Sequence, residues 1–148
     1  MAGIVSSVEI ERPAEDVFAY LDDLARHGEW QEAIVSTRVL TDGPVGVGTR
    51  AVDTRRVGGS RTQDSTYEIV EHDPPRSSVF RGIDGPVRPV GKVTVEALGE
   101  GRSRVTVDID LKGHGLVGAV LAPIARSQAR KQIPKDQETL KRLLESAG

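Results

Sequence analysis

Residues 115–146 read GLVGAVLAPIARSQARKQIPKDQETLKRLLES, and this stretch decides the fold. Apolar residues fall at Val117, Val120, Leu121 and Ile124, then Ile133, then Leu140, Leu143 and Leu144. That spacing of three and four predicts one long helix with a buried stripe. The first part is apolar on nearly every side. The last part is amphipathic and offers Lys135, Asp136, Glu138, Lys141, Arg142 and Glu145 to water. Pro134 predicts a bend, because a proline removes one helical hydrogen bond and crowds the preceding turn; Pro123 predicts a second irregularity. A helix of this length needs a broad apolar surface beneath it.

The middle of the chain supplies that surface as strands. Residues 104–111 alternate most cleanly, with Val105, Val107, Ile109 and Leu111 on one face and Arg104, Thr106, Asp108 and Asp110 on the other. Strands are also expected at 3–11, 33–41, 49–57, 62–71, 77–84 and 90–98, punctuated by Gly43-Pro44, Gly58-Gly59, Asp73-Pro74-Pro75, Gly85-Pro86 with Pro89, and Gly99-Glu100-Gly101. Between the first two lie two short helical segments. One runs from Pro13, a good first-turn residue, to about Leu24, with Glu15 and Asp16 at the positive end of its dipole. The other covers about 25–31 and carries Trp30. Short turns favour antiparallel pairing. The expected architecture is α+β: one domain over residues 1–148, a curved antiparallel sheet wrapped around the long C-terminal helix, with a ligand-sized space between them.

Composition narrows the function. Twenty basic against 22 acidic residues give a net charge of −2, which argues against nucleic acid as a partner. With no Cys, disulfides and thiolate chemistry are excluded. His27, His72 and His114 lie on separate turns with no ligand spacing, so neither a metal nor a cofactor is expected. No serine sits in a G-x-S-x-G elbow. The longest apolar run, 116–125, is half of the roughly 20 residues a membrane span needs, and no signal peptide is evident; the expectation is a cytoplasmic protein without stable membrane insertion, monomeric or homodimeric. Leu116 to Ile124 would suit a membrane surface, but the chain just before it has little Lys or Arg, so packing over the cavity is the expectation.

The order of elements, with VEIERPAEDVFAYLDDLARHGEWQEAI, VGVGTR, YEIVEHDPPRSSVFRGIDGP, GEGRSRVTV and the closing helix, resembles the START-like (SRPBCC, Bet v 1-like) superfamily with its helix-grip fold, and within it the polyketide cyclase/dehydrase branch. The resemblance spans nearly the whole chain. It implies binding of a small, largely apolar molecule, lipid- or polyketide-like, between sheet and C-terminal helix. It also admits a polyketide cyclase/dehydrase-type enzyme, or a non-enzymatic ribosome-, quinone- or toxin-associated interaction protein. Aromatase/cyclases of the family resemble this chain at Trp30 and at Arg81, whose counterpart steadies a poly-β-keto chain. The family's Tyr hydroxyl falls near Thr37 here and a second interior Arg near Glu68, both departures.

The expected ligand-binding set is Trp30, Tyr67, Arg81, Val93, Val95, Val107 and Ile109, roofed by Val117, Val120, Leu121 and Ile124. Arg81 is the one catalytic candidate. Val79, Arg81 and Ile83 share one strand face, and Ser78, Phe80 and Gly82 the other, so alternation alone leaves Arg81 facing either the cavity or solvent. An interior Arg81 would require a carboxylate such as Glu68 or Asp53. Trp30 either lines the cavity or plugs the junction of short helix and sheet.

Overall fold

The computed structural model describes residues 3–147. The chain forms β1 (Ile4–Ile10), α1 (Ala14–Asp22), a short 3-10 helix (Leu24–Glu29), then β2 (Ile34–Val39), β3 (Arg50–Gly58), β4 (Arg61–Asp73), β5 (Ser77–Gly82), β6 (Val87–Gly99), β7 (Arg102–Gly113) and α2 (Gly115–Ala147). The strands make one antiparallel sheet in the order β1-β7-β6-β5-β4-β3-β2. Every neighbour except β1–β7 follows in sequence, as short turns require. This is the helix-grip fold: a curled seven-stranded sheet with the long C-terminal helix packed on β1, β7 and β6.

The register carries one face across the sheet. Ser6 stands opposite Val107, Val107 opposite Val93, and Val93 opposite Ser78. One rung along, Ile4, Ile109, Gly91, Phe80 and Ile69 succeed one another. On the far strands Tyr67 faces Ala51 and Ser65 faces Asp53. Because side chains alternate along each strand, this pairing gathers these residues on the concave face. A bulge in β4 between Ile69 and Glu71 lets the next pairs be Glu71–Val79 and His72–Ser78.

Pro89 lies inside β6 rather than in the turn before it, opposite Leu111. Pairing of β5 to β6 ends at Arg81–Val90, so the missing N–H of Pro89 breaks no ladder bond. Gly91 is required by its neighbour: a Cβ there would stand 2.6 Å from the Phe80 ring.

The main core joins α1, the sheet and the end of α2 through Ile10, Val17, Phe18, Trp30, Val95, Val105, Leu140 and Leu144. Val95 therefore packs in the core. A second cluster of Leu24, Ala51, Tyr67 and Ile69 lies under the 3-10 helix.

The seating of α2 differs from the sequence expectation. The difference is in the face that is covered: within a helix that contains Pro123 and Pro134, the buried residues are Gly118, Ala122, Gln137, Leu140 and Leu144. Val117 is 62 % exposed, Val120 68 %, Leu121 39 % and Ile124 53 %. They do not roof the cavity. The first turn of the helix lies so close to the turn before β6 and the end of β7 that a Cβ at Gly118 would collide with the Pro86 carbonyl and lie 2.9 Å from the Gly113 carbonyl carbon. Only the small-residue face fits such an approach, and the face bearing large apolar residues is turned outward.

Candidate functional site

A cavity of about 150 Å³ lies between the concave sheet, α1, the 3-10 helix and the middle of α2. Its sheet wall comprises Asp53 and Arg55 from β3, Ser65, Tyr67 and Ile69 from β4, Ser78 and Phe80 from β5, Pro89 and Val93 from β6, and Val107 and Ile109 from β7. Phe18, Leu21 and Asp22 close one side, and Leu24, His27, Trp30 and Gln31 the other. Helix α2 contributes Ile133, Asp136 and Gln137.

The alternation read from the sequence thus puts Trp30, Tyr67, Val93, Val107 and Ile109 around one space. Arg81 is not among them. It is exposed on the convex face, beside Glu68 across the β4–β5 pair. Glu68 itself accepts a 3.0 Å bond from Arg50 Nε. The inward position on β5 belongs to Phe80, whose ring meets Tyr67 edge-on with centroids 5.7 Å apart. Solvation of a guanidinium is far cheaper outside than in an apolar cavity, which decides the face.

The remaining lining residues lie outside the set expected from the sequence, among them Phe80, Arg55, Asp136 and Gln137; Ile133 was expected only in the buried stripe of the helix. Asp53 was named only as a partner for Arg81. The parity of β3 would have found Asp53 and Arg55, since Ala51 is wholly buried and positions two and four residues on share its face. Asp136 and Gln137 are polar residues on a helix whose sequence signal is apolar spacing, and no periodicity marks them.

The polar groups divide by whether the protein satisfies them. Gln137, 2 % exposed, donates from Nε2 to the Ser6 carbonyl at 2.9 Å and accepts the Ser6 hydroxyl at 2.6 Å. Asp136 accepts the Glu32 amide at 3.2 Å and Gln132 Nε2 at 2.8 Å; burial nevertheless holds its carboxyl above the usual aspartate range. His27 donates Nε2–H to the Leu21 carbonyl at 2.8 Å. Asp53, 5 % exposed, accepts the Thr37 hydroxyl at 2.8 Å and lies 3.6 Å from Arg55 Nη2.

Two donors remain. Tyr67 Oη and Trp30 Nε1 are buried and have no hydrogen-bond partner among the described residues. Burial first, and the nearby Asp53 carboxylate second, push the Tyr67 phenol well above its ordinary value, so at neutral pH it keeps its proton. A mainly apolar cavity walled by two residues with unspent donors can hold the oxygen of a small molecule. Among the described residues no group of three or more His, Cys, Asp or Glu is arranged to hold a metal ion, and no helix is long and apolar enough to cross a membrane.

Comparison with known proteins places this site in context. No curated protein matches the chain. Among solved structures, a START superfamily protein from Mycobacterium smegmatis matches with a TM-score of 0.80 at 14 % identity, covering 98 % of both chains. A Thermus thermophilus protein matches at 0.78 and 18 % identity, again over 98 % of both chains. The Zhui aromatase/cyclase of a Streptomyces species matches at 0.69 and 18 % identity, over 92 % of this chain and 86 % of that one. At these identities the likeness is one of fold. The family model for polyketide cyclase / dehydrase and lipid transport matches residues 1–145, so the chain belongs to that family.

Proposed function

We propose that the protein binds a small, largely apolar molecule carrying an acceptor oxygen in the cavity between sheet and C-terminal helix. One observation carries the reading: Tyr67 and Trp30 wall a mainly apolar cavity, and their buried donors have no hydrogen-bond partner among the described residues. Leaving a buried donor unmade costs about 1–3 kcal/mol, so a ligand oxygen that accepts from either gains more than the contact alone. Val93, Val107, Ile109, Ile69 and Phe80 supply the apolar contact, and the Tyr67 and Trp30 rings complete it.

Size narrows the class. A cavity of about 150 Å³ is the size that accepts a benzene-like ligand, whereas drug-sized ligands fill roughly 300–1,000 Å³. A single-ring ketone, phenol or short ketide fits these walls. A fused polyketide or a two-chain lipid requires them to open. Native mass spectrometry of the purified protein, followed by solvent extraction, tests the proposal. The expected adduct is one oxygenated, mostly apolar molecule per chain. A protein that carries none, and gains no thermal stability from acetophenone or p-cresol, would overturn it.

A second reading is proton-transfer catalysis on a ketide-like ligand. It draws on the Asp53 carboxylate close enough to raise the Tyr67 phenol, an acceptor beside a donor at the same wall. Exchange of α-protons of a bound ketone for deuterium, lost in Asp53→Asn, would support it. Binding without exchange would leave a carrier.

A further inference from the structure

The first three turns of α2 present a surface outside the cavity. Leu116, Val117, Val120, Leu121 and Ile124 fall within an arc of about 140° when the helix advances about 100° per residue. Leu116 is 89 % exposed and Val120 68 %. None of the five lines the cavity.

Charge is distributed to match. Residues 115–135 hold Arg126, Arg130, Lys131 and Lys135 and no Asp or Glu, in a chain whose net charge is −2. Lys131 and Lys135 continue the same arc about two and three turns beyond Ile124, and both are exposed. The sequence immediately before the helix lacks such cations, so the basic residues stand at one end of the ridge.

We infer that this ridge docks on the surface of an anionic lipid bilayer. A line of side chains this exposed is a convex ridge, and a fluid interface moulds to it without a complementary groove. The exposed cations that continue the ridge, Lys131 and Lys135, suit anionic headgroups.

The test is co-sedimentation of the full chain with phosphatidylcholine vesicles containing 30 % phosphatidylglycerol, beside pure phosphatidylcholine. The expected result is binding to the anionic vesicles that weakens at least tenfold on pure phosphatidylcholine. Each surface cation contributes about fivefold near such a membrane, so Arg130→Gln/Lys131→Gln/Lys135→Gln should lose roughly a hundredfold. Leu116→Gln/Val120→Gln/Ile124→Gln should lose tenfold or more. Gln is a good helix former and the sites are exposed, so circular dichroism and binding of a cavity probe should stay unchanged. The inference is overturned by equal binding to both vesicles, by no binding, or by variants that bind like the parent. Concentration-dependent self-association abolished by the apolar triple substitution, without vesicle binding, overturns it in favour of a second copy.

Discussion

Replacing Tyr67 by Phe separates binding from stability, because the two should move in opposite directions. The residue is 7 % exposed and its ring packs edge-on against Phe80. Phe keeps that contact and removes only the hydroxyl, which has no partner among the described residues. A buried unsatisfied hydroxyl costs roughly 1–3 kcal/mol, less where cavity water reaches it. The empty Tyr67→Phe protein should therefore be as stable as the parent or up to about 3 kcal/mol more so. At ~2–4 °C per kcal/mol for a chain of this size, Tm should rise by as much as about 10 °C. Acetophenone should bind more weakly, by the roughly 0.5–1.5 kcal/mol of one hydrogen bond, or about two- to tenfold. Ethylbenzene, similar in shape but without an acceptor, should bind unchanged. Thermal unfolding and calorimetric titration of both probes measure the four quantities. Loss of more than about 1 kcal/mol in the empty protein, or equal weakening of both probes, would show that the hydroxyl serves the fold and refute the reasoning.

Val93→Phe extends a side chain into vacant volume, so it should abolish acetophenone binding while changing stability by less than about 1 kcal/mol; a filled core would instead lose roughly 1–3 kcal/mol, read by denaturant unfolding. Leu121→Trp lies on the exposed side of α2 and should leave both stability, within about 0.5 kcal/mol, and acetophenone affinity unaltered. Asp136 titrates above its ordinary value because it is buried, so over an interval starting near 3.9 the native state holds a proton that the unfolded chain has released. Stability from this group is thus greatest at the acid end and falls as pH rises through the folded value. Unfolding curves of the parent and Asp136→Asn across pH 3–7 should show the parent losing ground to the variant as pH rises, and the reverse trend would contradict the assignment.

The sheet was legible because its strands alternate: the inward set Val93, Val107 and Ile109 follows from parity once β6 and β7 are joined by a tight turn. The helix boundaries were legible from Gly115 and the Leu140–Leu144 stripe. The rotation of α2 was not. Apolar periodicity marks the face of Val117, Val120, Leu121 and Ile124, whereas the close approach of the Pro86 turn selects Gly118 for the covered face, and that approach is a property of the tertiary fold. The direction of Arg81 was ambiguous for a related reason, since a strand with apolar residues on both faces carries no signal of which is concave. The donors of the site depend on where partners are absent, and no single sequence encodes an absence.

Trp30 is the one tryptophan of the chain and stands in the cavity wall, so it reports directly on occupancy. Titration of the full chain with acetophenone, followed by Trp30 fluorescence, tests the central claim. Saturable quenching at one molecule per chain, weaker in Tyr67→Phe and absent in Val93→Phe, is the predicted result. Quenching that rises linearly without saturation and is the same in all three proteins would mean that the cavity takes no ligand of this class.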